Sequence, residues 1–321
     1  MAGKIATRNA YGDALVALAE QYPELAVLDA DLSGATMTNG FARAYPDRFY
    51  QMGIAENNMV SVAAGMAASG LKPFVNSFAM FTAGRSWEQV RNSVAYPSLN
   101  VKIIGSHGGL SVGEDEATHQ CIEDFSLMRT IPGMVVLCPC DGHEMELATE
   151  ALLRYEGPAY MRLCRPAVEI VTDSIEGYHF ELGKGVMLRD GKDVTIIATG
   201  LTVQMSLKAA ERLSMLGFSA RVIDMHTIKP LDTELVLKAA CDTGCIVTAE
   251  DHNIIGGLGS AVCECLSGVC PVPVLRHGVR DAFGRSGKAE EVLDAFGISS
   301  DVIASQAIKA IDMKGKFRSD K

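Results

Sequence analysis

The shape of the apolar runs constrains this chain most. AVLDAD (26–31), KPFVNSF (72–78), NVKIIGSH (100–107) and GMVVLCP (133–139) are short and nearly continuously apolar. A strand with one wet face alternates apolar and polar residues, whereas a run apolar throughout needs cover on both faces. Such strands, separated by helices, make a parallel sheet between helical layers. The intervening stretches have that helical pattern. ATRNAYGDALVALAEQYP carries Ala10, Ala14, Ala17 and Leu18 as a stripe, with Pro23 beyond its end. NMVSVAAGMAASG (58–70) is a small-residue helix stopped by Gly70. AGRSWEQVRNSVAY reads as a helix closed before Pro97.

Between Arg165 and Lys192 the texture turns to short strands, turns and charges. DVTIIATG (193–200) then opens a second alternating unit, with strands at 194–199, 220–225, 245–251 and 271–278 and helices at 202–216, 232–241 and 257–268. The expected fold class is α/β, with two three-layer α/β/α domains. The first, residues 1–180, has a mostly parallel sheet; 181–192 is a linker; the second, 193–321, is smaller. At ~150 residues per domain, 321 residues suit two. No apolar run approaches the ~20 residues of a membrane span, and Met1 to Arg8 lacks the apolar core of a signal peptide. Net charge is −10 with Lys and Arg scattered, whereas nucleic-acid binding needs a concentrated basic patch. The expectation is a cytoplasmic protein that binds neither membrane nor nucleic acid. Nine cysteines, mostly in apolar strand-like contexts, fit buried reduced thiols. Cys263, Cys265 and Cys270 do not have a usual zinc spacing, so no metal site is assigned.

In open parallel sheets, sites form at the carboxyl ends of strands, and polar clusters fall there. DADLSGAT (29–36) offers Asp29, Asp31, Ser33 and Thr36, which could equally cap the next helix. In YQMGIAENNM (50–59), Glu56 starts an apolar, small-residue helix. A carboxyl buried in such a setting keeps its proton and can donate it to a ring nitrogen; alternatively it complements the helix dipole. NSFAMF (76–81) places Phe78 and Phe81 at a strand-to-helix turn, as core or as a stacking surface for a flat ring. SHGGLSVGEDEATHQCIED (106–124) gathers His107, Glu114, Asp115, Glu116, His119 and Gln120 around a glycine-loosened loop. That many polar groups are costly in a core, so the loop reads as functional, with His119 as an acid–base or hydroxyl-binding group. Arg165 follows a strand and Arg8 opens the chain; either could hold a phosphate. GGLG in 250–262 is a loose glycine turn before a helix. It could bind an anion or permit close packing.

Taken in order, GIAENNM, SFAMF, SHGGLSVGEDEATHQ and PCDGHE resemble the C-terminal half of a transketolase, a thiamine-diphosphate enzyme. The resemblance spans essentially the whole chain, a pyrimidine-binding domain (about 1–180) followed by a transketolase C-terminal domain (about 190–321). It implies that Glu56 is the activating glutamate that hydrogen-bonds N1′ of the aminopyrimidine. It implies that Phe78 and Phe81 line the pyrimidine pocket and that Asp31 lies near the cofactor at a subunit interface. His119 and Asp115 would contact substrate hydroxyls. Arg165, Arg8 and His107 would hold the sugar phosphate.

Departures from the family accompany the match. Asn57 stands where His commonly follows the glutamate, Gly84 where a tyrosine is often found, and Ala35, beside Thr36, where a phosphate-binding serine falls. The GDG…Asn site for Mg²⁺ or Ca²⁺ and diphosphate is absent. With a start at Met1 and a polar tail GKFRSDK, the expectation is one subunit of a split enzyme. A separate N-terminal-type subunit would supply diphosphate and metal binding, and a second copy of this chain would complete an α2β2 assembly. The resemblance thus implies transfer of a two-carbon ketol unit between sugar phosphates. 1-Deoxyxylulose-5-phosphate synthase and the β subunit of 2-oxoacid dehydrogenases share a GIAE-type motif and are the alternatives. His107 separates the chain from the first, and GEDxxTHQ from the second. A catalytically silent scaffold subunit would have no need of the acid at 56.

Overall fold

The computed structural model describes residues 3–175 and 177–319. Met1 of the expected start, and Asp320 and Lys321 of the polar tail, lie outside the described residues. Among the described residues fourteen strands follow in chain order: β1 Lys4–Ala6, β2 Leu25–Asp29, β3 Phe49–Gln51, β4 Lys72–Phe78, β5 Lys102–Ser106, β6 Val135–Leu137, β7 Ala159–Arg162, β8 Ala167–Glu169, β9 Val186–Arg189, β10 Val194–Ala198, β11 Ala220–Asp224, β12 Thr227–Lys229, β13 Ile246–Asn253 and β14 Val274–Val279. The first sheet has the order β12-β6-β7-β5-β4-β2-β3, and the second β14-β13-β10-β11-β9. Every pairing in them is parallel except β12 on β6 and β9 on β11. β1 and β8 form a separate antiparallel pair.

The apolar runs fill two cores each, as continuous apolar strands must. Leu28, Val75 and Ile103 face one side of the first sheet; Val27, Phe74 and Ile104 face the other. Ile196 and Val222 against Ile197 and Ile223 divide the second sheet in the same way. Lys102 interrupts one such run at full burial, its ammonium held by the Asn100 side chain and the Tyr155 and Gly157 carbonyls.

Five features depart from the sequence reading. The first helix, Thr7–Leu18, buries Ala10 and Ala14 of the expected stripe together with Tyr11 and Leu15, while Ala17 lies exposed; the larger side chains shift the packed face away from Ala17. The stretch expected as one helix before Pro97 is helical but widened into π turns at Met80–Arg85 and Val90–Ala95. The stretch read as a linker holds β9, whose half-exposed residues lack the continuous apolar run of an inner strand. A long helix, Ser300–Ser319, went unread; it seals the second sheet with Ile303, Ala304, Ala307 and Ala310. β12 was also unread. It carries the chain back from the second sheet to edge the first, so the two domains share a strand seam.

A buried acid pair sits in that seam. Cys140, Glu144 and Asp224 place their ligand-type atoms within 4.8 Å of one another, all buried. Glu144 accepts the Cys140 N–H (2.6 Å) and the Tyr178 hydroxyl. Burial, then the Glu144 charge, pushes Asp224 well above the usual carboxylate range, which favours its protonated form beside the Glu144 carboxylate. A carboxyl raised on folding binds more protons folded than unfolded. Stability therefore falls as pH rises from the unfolded value towards the folded one. Asp224→Asn removes that ionisation, so its stability relative to wild type rises between about pH 5 and about pH 8 in urea denaturation. A variant destabilised equally at both pH values contradicts the raised Asp224 carboxyl.

Candidate active site

The strand order β7-β5-β4-β2 lays four carboxyl ends side by side, and the sequence-predicted residues leave from them. β2 ends ahead of Asp31, β4 at Phe78, β5 ahead of His107, and β7 ahead of Arg165. Arg8 comes from the first helix. Thr7 pins it there, its Oγ1 accepting the Cys164 N–H at 2.7 Å, next to Arg165.

These side chains form one contiguous group. The Phe78 ring lies 4.2 Å from His107 and 6.1 Å from Phe81, centroid to centroid, the two phenyls stacked. His119 stands edge-on to both, at 6.0 Å from Phe78 and 5.3 Å from Phe81. Arg8 Nη1 lies 3.3 Å from His107 Nε2 and 2.9 Å from the Ala35 carbonyl. Arginine can only donate, so His107 Nε2 accepts, and the ring proton sits on Nδ1, which faces Ser106 Oγ at 2.8 Å. Burial, then Arg8, Arg165 and His119, pushes His107 down to about 3. It is therefore a neutral imidazole at physiological pH. His107 (φ 57°) and Asp31 (φ 66°) both adopt the left-handed backbone, the kind of strain that collects at functional turns.

Glu56 is buried at 1% exposure at the first turn of the helix Glu56–Ala68. Its Oε1 accepts from Ser77 Oγ at 3.1 Å, and its Oε2 pairs with Arg85 Nη1 at 2.7 Å. The Arg85 guanidinium carbon also sits 4.4 Å from the Phe81 ring centroid. The sequence reading placed Glu56 among few charges and missed Arg85. The Phe81–Arg85 spacing of four on a helix was the available signal; the pairing with Glu56, twenty-nine residues away, left none. The site thus presents two phenyl faces and a buried carboxylate acceptor, a set of groups that suits a flat, nitrogen-edged ring such as an aminopyrimidine.

The loop after β5 is tied down by the second domain. The Asp251 carboxylate accepts the Leu110 and Ser111 N–H groups at 2.9 and 3.2 Å. Gln120 Nε2 donates to the Gly113 and Arg285 carbonyls, both at 2.9 Å. A Cβ at Gly109 (φ 81°) would collide with Asp251, so that close approach requires glycine. Arg165 donates to the Val112 carbonyl (2.6 Å) and pairs with Glu114 (2.5 Å).

Other predicted residues stand apart. Asp115 and Asp31 are exposed, and no side-chain hydrogen bond or ion pair joins either to the group among the described residues. The Asp31 N–H donates to Gln51 Oε1 at 2.7 Å. Asp29 accepts from the Leu32 N–H, Thr36 Oγ1 and Thr38 Oγ1 and so holds the turn ahead of the short helix Ser33–Thr36, whose N-cap residue, Leu32, makes no side-chain cap. At GGLG, the Glu250 carboxylate accepts the Leu258 and Gly259 N–H groups at 2.7 and 2.8 Å, so the chain's own acid fills the position an anion would take. Cys121, Cys138, Cys140, Cys164 and Cys245 are buried thiols, whereas Cys241 is exposed and Cys263, Cys265 and Cys270 are partly so.

Residues 3–170 match the family described as "Transketolase, pyrimidine binding domain", and residues 183–303 match "Transketolase, C-terminal domain". A 6-deoxy-6-sulfo-D-fructose transketolase subunit from Clostridium sp. is 44% identical, covering 96% of this chain and 95% of its own length. Mouse transketolase is 39% identical over 97% of this chain, which spans 50% of the mouse protein. A solved structure of a split-gene transketolase, an inactive β4 tetramer, superimposes with a TM-score of 0.88 at 45% identity, covering 97% of this chain and all of that one.

Proposed function

The chain belongs to the transketolase family, and from that premise we propose that it is the pyrimidine-side subunit of a split, thiamine-diphosphate-dependent enzyme that moves a two-carbon ketol unit from a ketose phosphate to an aldose phosphate. One observation carries the reading: Glu56, Phe78 and Phe81 share a strand-end cluster with Arg8, His107, His119 and Arg165. The half-length match to the mouse enzyme supports a partner of N-terminal type. That subunit would hold the diphosphate with Mg²⁺ or Ca²⁺, two copies of each chain making an α2β2 assembly. The inactivity of the β4 relative agrees with a chain that needs its partner. Cysteines held as thiols rather than disulfides suit the reducing cytoplasm, and no helix among the described residues is long and apolar enough to cross a membrane.

Bound thiamine diphosphate would supply the carbon nucleophile that carries the ketol unit. Glu56 holds the pyrimidine edge, and Phe78 and Phe81 line its pocket. His119, on the rim of the aromatic group, exchanges protons with the donor's carbonyl or hydroxyl. Asp115 meets the acceptor's hydroxyl when a sugar enters, and Asp31 borders the cofactor at the subunit interface. Arg8 and Arg165 hold the anionic end of the sugar, and neutral His107 adds a hydrogen bond without adding charge. The Clostridium relative acts on a sugar bearing a sulfonate. Sulfonate and phosphate are both tetrahedral oxyanions, which supports this role for the arginines and leaves the sugar itself to the pocket's shape around Gly84 and Ala35.

The test mixes this chain with its neighbouring-gene partner, thiamine diphosphate and Mg²⁺, and assays ketol transfer from xylulose 5-phosphate. Turnover is expected from the mixture and not from this chain alone. In the same assay Arg165→Ala raises KM for phosphorylated sugars roughly 10- to 100-fold, the scale of a charged hydrogen bond. KM for unphosphorylated analogues barely moves. An equal rise for both refutes the phosphate role.

A further inference from the structure

The Glu56 carboxylate already has a flat, nitrogen-edged partner in this structure. Arg85 Nη1 contacts Oε2 at 2.7 Å, and the guanidinium carbon stands 4.4 Å from the Phe81 ring centroid. A guanidinium is planar, donates through N–H groups at its edge and stacks on aromatic faces. An aminopyrimidine has the same flat shape and use for an aromatic face, and its ring nitrogen, once it shares a proton with the acid, presents one N–H to the carboxylate as a guanidinium does. Two flat N–H donors cannot use one oxygen and one ring face together.

The two partners are unequally held. Glu56 is 1% exposed and anchored by Ser77, whereas Arg85 is 45% exposed. Arg85 closes the π-helical segment Met80–Arg85, a widened turn of the kind that recurs at functional sites. Ser86 Oγ fixes the backbone behind it by donating to the Thr82 carbonyl at 2.8 Å. Arg85 itself donates only to Glu56 among the described residues. The acid is therefore fixed and the cation movable towards solvent.

We propose that Arg85 is a resident placeholder for the cofactor's pyrimidine: it neutralises Glu56 and covers Phe81 in the unloaded chain, and it swings outward when the pyrimidine takes both contacts. This inference rests on the reading of the pocket as a pyrimidine site. It goes beyond that reading by assigning unloaded and loaded states to one side chain. An internal competitor lowers affinity by the share of molecules it occupies, so the pocket stays closed to weak or partial ligands until a complete cofactor arrives. It also spares the buried carboxylate from standing unpaired before loading.

Trp87, the chain's single tryptophan, lies two residues beyond Arg85, its Nε1 donating to the Leu127 carbonyl at 3.0 Å. Its emission reports on the segment that Arg85 closes. The experiment titrates the free aminopyrimidine fragment of thiamine against the full chain, reading Trp87 emission together with the ligand-induced rise in melting temperature. Arg85→Ala is expected to bind the fragment about tenfold more tightly than wild type, the scale of one charged hydrogen bond no longer displaced. It also gains more melting temperature from the ligand, even though its unloaded form is less stable. Arg85→Lys keeps the charge and stays near wild type. Arg85→Ala binding equally or more weakly than wild type overturns the proposal and makes Arg85 a fixed support for Glu56. Fragment binding that survives Glu56→Ala unchanged rejects the pyrimidine pocket itself, and absence of binding by every form rejects the placeholder. The ketol-transfer assay judges the wider function separately.

Discussion

Glu56→Gln, assembled with the partner subunit, loses about 10²–10⁴-fold in kcat, the range expected when a positioned proton-handling group is removed, while the chain keeps its fold. The substitution keeps the shape and a hydrogen-bonding oxygen, so Ser77 Oγ retains its acceptor. It removes the acid's ability to exchange a proton with a ring nitrogen and its ion pair with Arg85. Circular dichroism and melting temperature check the fold; kcat against KM checks the role. A fall in kcat with KM for the sugars little changed places Glu56 at the cofactor rather than the substrate. Near-normal turnover removes it from the chemistry.

The second large effect is on stability. Arg162→Met costs about 3–5 kcal/mol, the measured scale for breaking a buried ion pair from one side. Arg162 and Asp124 are almost fully buried, at 2% and 0% side-chain exposure, and pair through two contacts, one of them Nε to Oδ2 at 2.8 Å. Burial alone would raise Asp124; the Arg162 charge and hydrogen bond more than offset this and hold it below the ordinary carboxylate range. Tyr160 donates to the same carboxylate at 2.6 Å. Arg162 further donates to the Asp251 and Cys121 carbonyls at 2.7 and 3.1 Å and lies 4.0 Å from the Phe125 ring centroid. One guanidinium thus joins β7, the end of the 107–124 loop and β13 of the second domain. Methionine fills a similar volume but leaves Asp124 charged and alone. Urea denaturation measures the loss, and Arg162→Met combined with Asp124→Leu recovers much of it, because no buried charge is then stranded. A single variant within about 1 kcal/mol of wild type contradicts the claim that this pair holds the two domains and the loop together.

Arg162 also marks where sequence reading stopped. In YMRLC it stands inside an apolar strand, where periodicity treats any residue as an interruption. Its partners lie at positions 121, 124 and 251, and no local pattern connects them. Arg85 escaped for a related reason. A regular helix was expected where π turns occur, and the extra residue per turn changes which side chain looks back at Glu56.

Much of the candidate site was legible because sites of open parallel sheets form at strand ends, and strand ends can be read from where apolar runs stop. Phe78, His107 and Arg165 were found that way, and Glu56 from an acid opening a helix of small residues. Asp31 and Asp115 satisfied the same local rules yet stand exposed and apart from the cluster, because position in a loop does not determine side-chain direction.

The sequence by itself determined the α/β class, the paired sheets and the residues available at the strand ends, since burial on both faces imposes a local pattern that survives in one dimension. Only the tertiary structure decided which ends meet. The order β7-β5-β4-β2 makes neighbours of residues far apart in the chain, β12 returns from the second sheet to edge the first, and Asp251 reaches across to hold the loop after β5. Those contacts depend on long-range packing and on pairing buried charges, and neither leaves a periodic trace.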